Sequence, residues 1–99
     1  MKLEFEWYSE KKRLIAENHG LDMSTIKKAF DDPFRIVQYD DWHSGLEDRW
    51  QTLGNVDGIL FTVYTERNDK IRIITARKAT PEERRIYYGR SKKGFWFIP

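Results

Sequence analysis

The sequence predicts an α+β domain in which a small antiparallel sheet carries N-terminal helices and a C-terminal helix, in the order β-α-α-β-β-β-β-α. Three observations support this class. Apolar and polar residues alternate with period two over several short segments, which is typical of half-buried strands. Short turns separate the strand-like segments of the second half, as in an antiparallel meander. A helix with a capping box follows the last of these segments.

Eight elements are predicted along the chain. In order they are a strand over 2–7, a helix that Ser9 caps and that runs to about His19, a helix from Asp22 or Ser24 to 31–33, strands over 34–39, 48–54, 59–67 and 70–77, and a helix after Thr80. The spacing of Ile26, Ala29 and Phe30 makes them the inward stripe of the second helix. Gly20 and Pro33 end the first two helices. The last helix has the clearest start, because Thr80 is its N-cap, Pro81 its first residue and Glu83 completes the capping box.

Strict alternation along the last strand predicts which of its side chains share a face of the sheet. It places Ile71, Ile73 and Arg77 on one face and Arg72 and Ile74 on the other. Arg72 and Arg77 are therefore predicted on opposite sides of the sheet.

Length and composition predict a single domain over residues 1–99, with residues 91–99 as an apolar extension. The chain has no cysteine, which excludes disulfides and thiolate metal sites. No apolar run approaches the roughly 18 residues that span a bilayer, and the alternating N-terminus is unlike a signal peptide. These features predict a cytoplasmic protein without membrane association.

Charge is distributed unevenly, although the net charge is only +2. Residues 70–93 hold nine Lys and Arg against two Glu, whereas residues 1–69 hold nine cations against fourteen anions. A basic C-terminal third on an acidic body predicts an anionic partner such as nucleic acid. A solvated helix face is the alternative interpretation.

The chain also carries groups suited to RNA cleavage without a metal. The 2′-hydroxyl is a built-in nucleophile, so the protein needs a base, an acid and cations for the phosphate. His19, at a helix C-terminus, His43, in a loop beside Trp42, and Glu66 are candidate proton carriers, and a surface or packing role is the alternative for each. The adjacent acidic pairs diverge and no glycine-rich phosphate loop is present, so no metal or cofactor is predicted.

A series of short motifs occurs in order along residues 5–88. They are FEW (5–7), Lys11, HG (19–20), AFDDP (29–33), DRW (48–50), LG (53–54), FTVYTER (61–67), RIITAR (72–77), and Glu83–Arg84 followed by Tyr87 or Tyr88. As a set, these motifs resemble the BrnT toxins of bacterial type II toxin–antitoxin systems.

The resemblance implies a RelE-like fold and a metal-independent ribonuclease that arrests growth by cutting cellular RNA. It also implies a BrnA-like antitoxin that blocks the toxin, with operator DNA bound only through the complex of the two proteins. The catalytic residues that we carry over are His19, Arg49, Glu66, Arg77, Arg84 and Tyr88. Arg77 and Arg84, joined by Arg49, are expected to converge on the scissile phosphate. Lys11, Tyr64, Arg72 and Arg85 are the predicted substrate-binding residues, because basic side chains bind phosphate and tyrosine rings stack on bases.

The chain departs from the family pattern at Tyr8, Ile15 and Asn18, where the family usually carries Asp, often Asn and typically Lys. A second hypothesis is therefore a catalytically weak or inactive member that binds nucleic acid and the antitoxin. A third is a basic helix that only complements the acidic body or an acidic antitoxin. The tail over 91–99 predicts either a homodimer or a segment folded back on the core.

Overall fold

The computed structural model describes residues 3–89 and contains eight elements in the predicted order. They are β1 (Glu4–Glu6), α1 (Ser9–His19), α2 (Met23–Phe30), β2 (Ile36–Tyr39), β3 (Trp50–Asn55), β4 (Ile59–Arg67), β5 (Lys70–Lys78) and α3 (Pro81–Tyr88). The predicted tail over 91–99 lies outside the described residues. No helix within 3–89 is long and apolar enough to cross a membrane.

The five strands form one sheet in the order β1-β5-β4-β3-β2. The strands from β2 to β5 form the predicted antiparallel meander, but β1 pairs with β5 in parallel, so the sheet is mixed. The chain leaves β1 through two helices instead of a hairpin, and such a long connection permits parallel pairing at the sheet edge.

A β-bulge in β5 corrects the predicted faces of its side chains. Val63 pairs with Thr75, whereas Tyr64 pairs with Ile73, so Ile74 is an extra residue on β5. An extra residue reverses the alternation beyond it. Arg72 and Arg77 therefore lie on the same face of the sheet, and the prediction of opposite faces is wrong.

Helices α1 and α2 pack on the other face, over a cluster that includes Ile15, Ile26, Phe30, Tyr64 and Ile73. The inward stripe predicted for α2 is confirmed, because Ile26, Ala29 and Phe30 are all buried. Helix α3 packs on the face that carries Arg72 and Arg77, over a second cluster that includes Leu53, Phe61, Val63 and Tyr87. We call these two sides of the sheet the α1/α2 face and the α3 face.

Helix starts are as predicted for α3 and differ for α1. In α3, the Thr80 hydroxyl accepts a hydrogen bond from the Glu83 N–H, and the Glu83 carboxylate accepts one from the Thr80 N–H. In α1, Tyr8 occupies the N-cap and Ser9 is the first helical residue, with no side-chain cap. The predicted cap at Ser9 is therefore wrong by one position.

Candidate functional site

Three neighbouring cavities form one groove between α1, β5 and the loop before β3. The first, of about 160 Å³, is lined by Lys11, Ile15, Asn18, His19 and Ile74, among others. The second, of about 180 Å³, is lined by Tyr8, Lys11, Glu47, Arg49, Arg72 and Ile74. The third, of about 570 Å³, is lined by His43, Glu47, Arg49, Glu66 and Arg67. Because adjacent cavities share lining residues, we treat them as one feature, the α1–β5 groove.

Helix α1 supplies one wall of the groove. Lys11, Ile15 and His19 follow one another at intervals of one helical turn, so they lie on the same side of the helix. Ile15 is 3% exposed and anchors this side in the core beneath the sheet. Lys11 and His19 are exposed on either side of this anchor, and each lines the groove.

Arg72 lies near the middle of the groove and is only 9% exposed. Its guanidinium carbon lies 4.1 Å from the centroid of the ring of Tyr8, itself an exposed residue. Among residues 3–89 no carboxylate lies within 4.0 Å of it, including Glu6, its register neighbour on β1. The guanidinium stacks on the Tyr8 ring and no carboxylate of residues 3–89 neutralises it, so this position in the cavity favours an anionic ligand.

Arg49 and Arg72 flank the same residue of β4. Arg72 pairs with Thr65, and Arg49 precedes Trp50, the partner of Tyr64, so it lies on the other side of Thr65. Two strand spacings put their α carbons about 10 Å apart. The Arg49 guanidinium donates to the Glu47 carboxylate at 3.3 Å from both Nε and Nη2, within the same cavity.

Arg77 and Arg84 do not join this pair. Arg77 donates to both carboxylate oxygens of Glu83 at 2.8 and 3.1 Å, and its guanidinium carbon lies 4.0 Å from the centroid of the Phe61 ring. Phe61 and Thr65 are about 13 Å apart along β4. Arg84 donates to the Ala79 carbonyl at 3.0 Å and lines a different cavity beyond the first residues of β4.

The expected convergence of Arg49, Arg77 and Arg84 on one phosphate therefore does not occur in the structure. Lys11, Arg49 and Arg72 line the groove instead, with His19 at one end and Glu66 at the other.

The predicted tyrosines occupy opposite environments. Tyr64 is 4% exposed and packs edge-on against Phe30 under α2, and burial raises the pKa of its phenol. Its ring is therefore not accessible for stacking on a base, contrary to the predicted substrate-binding role. Tyr88 is 69% exposed on α3 with its ring against Tyr87, and Arg85 is exposed on the same helix.

Sequence reasoning missed the partner of His43. The Asp40 carboxylate accepts hydrogen bonds from the His43 N–H at 3.0 Å and from Nδ1 of its ring at 2.7 Å. Burial of Asp40 disfavours its charged form, but hydrogen bonds from His43 and Gln51 outweigh that effect and lower the pKa of the carboxyl. An Asp followed three residues later by His, in a loop, is the signal that would have identified this turn.

The described residues contain no group of three or more His, Asp or Glu that could hold a metal ion.

Comparison with known proteins adds a family and a fold. The model of a family described as the ribonuclease toxin BrnT of type II toxin–antitoxin systems matches residues 7–83. The fold is similar to the crystal structure of the Brucella abortus ribonuclease toxin BrnT, with a TM-score of 0.57 and 16% identity. That match covers 80% of this chain and 99% of the other chain. No curated protein matches the chain.

Proposed function

Because the family match spans most of its length, this chain belongs to the BrnT ribonuclease toxins of type II toxin–antitoxin systems, and we propose that it cleaves cellular RNA in the α1–β5 groove. Membership of this family implies an antitoxin partner. The proposal adds the location of the cleavage site and the residues that bind the substrate.

The observation that carries the proposal is Arg72. Its burial without a carboxylate partner among residues 3–89 leaves a positive charge that an RNA phosphate would satisfy. Lys11 and Arg49 line the same cavity and extend the positive surface in both directions along the groove. An electropositive channel of this kind follows the backbone of a single strand without reading its sequence.

The chemistry needs no group beyond those of RNA and protein. The 2′-oxygen attacks the adjacent phosphorus, the bond to the 5′-oxygen breaks, and the arginines stabilise the charge that develops on the phosphate. His19 and Glu66, at opposite ends of the groove, are two of the three candidate proton carriers predicted from the sequence.

The test is the variant Arg72→Met, which keeps the packing volume and removes the charge. We expect cleavage of a purified RNA to fall about 100-fold or more, since one donor to the developing charge is worth that much. Thermal stability should stay close to that of the wild type, because no ion pair within residues 3–89 is lost and the long apolar side chain keeps its contact with the Tyr8 ring. Arg13→Met is the matched control, since Arg13 is exposed on α1 and pairs with Glu10 and Glu17; we expect it to cut at the wild-type rate.

In cells, expression of the wild type should arrest growth, and co-expression of the antitoxin should relieve the arrest. Folded Arg72→Met should no longer arrest growth. A folded wild type that neither arrests growth nor cuts RNA at any salt concentration would refute the proposal.

We further propose a BrnA-like antitoxin as the partner, with operator DNA bound only through the complex of the two proteins, and the cytoplasm as the site of action. Family membership supports these assignments. Sedimentation of the purified chain at increasing concentration tests the homodimer that the apolar tail predicts.

Two observations favour a second function. Tyr8, Ile15 and Asn18, which depart from the family pattern, all line the groove, and Arg77 is already paired with Glu83. These features support a binding module that holds RNA and the antitoxin without efficient cleavage. Salt-sensitive binding of RNA by a wild type that cuts none of it would favour this alternative.

A further inference from the structure

The loop between β2 and β3 holds a carboxylate–imidazole pair at the end of the α1–β5 groove. The Asp40 side chain is fully buried, whereas the His43 side chain is 56% exposed. Because a carboxylate only accepts hydrogen bonds, the contact of 2.7 Å places the proton of a neutral His43 ring on Nδ1. Nε2 of that ring is then a free acceptor.

Hydrogen bonds across the base of the loop fix His43 relative to Arg49. The Asp40 N–H donates to the Arg49 carbonyl at 2.9 Å, and the Arg49 N–H donates to the Ser44 hydroxyl at 2.8 Å. The Thr65 hydroxyl donates to the Asp48 carbonyl at 2.6 Å and ties the loop to β4. The imidazole is therefore positioned by the sheet, although it belongs to a loop.

His43 and Arg49 line the same open cavity of about 570 Å³. The other charged groups that line it are Glu47, Glu66 and Arg67, and Glu47 is hydrogen-bonded to Arg49. An acceptor nitrogen, a phosphate-binding cation and an open space between them are the arrangement that base-catalysed cleavage of RNA needs.

We propose that His43 is the general base that accepts the proton of the RNA 2′-hydroxyl, and that Asp40 is the residue that positions it. This inference rests on the proposed ribonuclease function and assigns the base of that reaction to a residue other than His19 or Glu66.

The step conserves atoms and charge. The 2′-hydroxyl gives its proton to Nε2 of His43, and its oxygen forms a bond to phosphorus. The bond between phosphorus and the 5′-oxygen breaks, and that oxygen takes a proton from water. The products are a 2′,3′-cyclic phosphate and a 5′-hydroxyl, and the imidazolium returns its proton to solvent.

The reaction needs the neutral imidazole, because a protonated ring accepts no proton. The groups that face His43 are Asp40, Glu47, Arg49, Glu66 and Arg67, so these set the charge around the ring. The lowered pKa of Asp40 keeps its carboxylate ionised through the neutral range, where it holds the ring in the required tautomer.

The decisive experiment compares His43→Ala, His19→Ala and Glu66→Gln in cleavage of one defined RNA by the full chain. We expect His43→Ala to lower kcat by about 10²- to 10⁴-fold, the usual contribution of a general base. Its Kd for the same RNA carrying 2′-O-methyl groups, which cannot be cut, should stay within about twofold of the wild type, because phosphate contacts dominate that affinity. Asp41→Asn, at an exposed neighbour in the same loop, should cut at the wild-type rate.

Two readouts separate a chemical role from a structural one. Added imidazole should restore part of the activity of His43→Ala, and it should not restore that of Arg72→Met. Asp40→Asn keeps an oxygen that can accept from the ring but loses the charge, so we expect a lower kcat and an altered pH profile with His43 intact. Circular dichroism melts confirm that each variant is folded.

Several outcomes would overturn the inference. A wild type that cuts RNA, together with a folded His43→Ala that cuts at the same rate, refutes the role of His43 and leaves the proposed function standing. If His19→Ala or Glu66→Gln loses activity while His43→Ala keeps it, the general base is His19 or Glu66 and not His43. A wild type that cuts no RNA refutes the proposed function, and the inference fails with it.

Discussion

Gly54 shows how a single residue controls the packing of a helix on the sheet. A Cβ at Gly54 would lie 2.2 Å from the Ala29 carbonyl oxygen and 2.9 Å from its carbonyl carbon. These are backbone atoms of α2, so they cannot rotate away as the end of a long side chain can. Any larger residue at this position must therefore push α2 off β3.

We expect Gly54→Ala to lower the free energy of unfolding by about 2–4 kcal/mol, because overpacking against backbone displaces a whole helix. Urea unfolding followed by circular dichroism measures the change. Gly45→Ala is the control, since nothing lies within 4 Å of a Cβ there, and it should change stability by less than about 0.5 kcal/mol. Equal unfolding midpoints for the two variants would contradict the close approach of α2.

At the scale of elements, Glu83 joins the start of α3 to β5. Its carboxylate accepts from the Thr80 N–H within the capping box and from the Arg77 guanidinium. Burial disfavours the charged form of Glu83, but the hydrogen bonds from Arg77 and Thr80 outweigh it, so the pKa of this carboxyl lies below its ordinary value of 4.5. Arg77 is therefore better explained as a residue that docks α3 than as one that binds substrate.

A carboxyl whose pKa is lower in the folded protein than in the unfolded chain stabilises the fold at pH values above its unfolded pKa. This stabilisation is lost as the pH falls through the folded pKa. We therefore expect Glu83→Gln to lower the free energy of unfolding by about 1 kcal/mol near pH 7. The effect is modest because Arg77 is partly exposed, which weakens its ion pair with Glu83. This difference from the wild type should shrink as the pH falls below about 4.5. Urea titrations at several pH values measure it, and a difference independent of pH would contradict the prediction.

The bulge at Ile74 is the second feature that acts at this scale. Ile71 and Ile73 precede the bulge and Ala76 follows it, and the extra residue lets all three lie in the core under α1 and α2. As a consequence it turns Arg72 to the α3 face, where Arg49 lies across Thr65. One extra residue in β5 therefore creates the cationic pair of the groove.

At the scale of the whole molecule, the groove places cations on a body that is otherwise acidic. Lys11, Arg49 and Arg72 come from α1, from the loop before β3 and from β5, so only the assembled sheet brings them together. Binding of an anionic chain there should depend on salt, because each neutralised phosphate releases counterions.

We expect log Kd for single-stranded RNA to rise with log salt with a slope of about 2, from three cations at about 0.7 each. Arg72→Met should lower the slope by about 0.7, whereas Arg13→Met should leave it unchanged. Titrations of a 2′-O-methyl RNA between 50 and 300 mM salt, roughly the range over which such contacts are sensitive, measure both slopes. An unchanged slope for Arg72→Met would exclude Arg72 from the phosphate contacts.

Local signals in the sequence determined the order of the elements and most of their limits. The capping box at Thr80 and Glu83 and the left-handed cap at Gly20 involve only near neighbours in the chain, so each could be predicted and each is confirmed. The motif order also identified the family, because it depends on the chain alone.

Tertiary structure alone decided which functional groups meet. The bulge at Ile74 arises from the pairing of two strands, and it reversed the predicted face of Arg72. Burial removed Tyr64 from the candidate surface, and the pairing of Arg77 with Glu83 depends on where α3 docks. The sequence by itself specified the elements and the number of basic residues. Strand register and burial, which depend on residues distant in the chain, decided which of these basic residues line the groove.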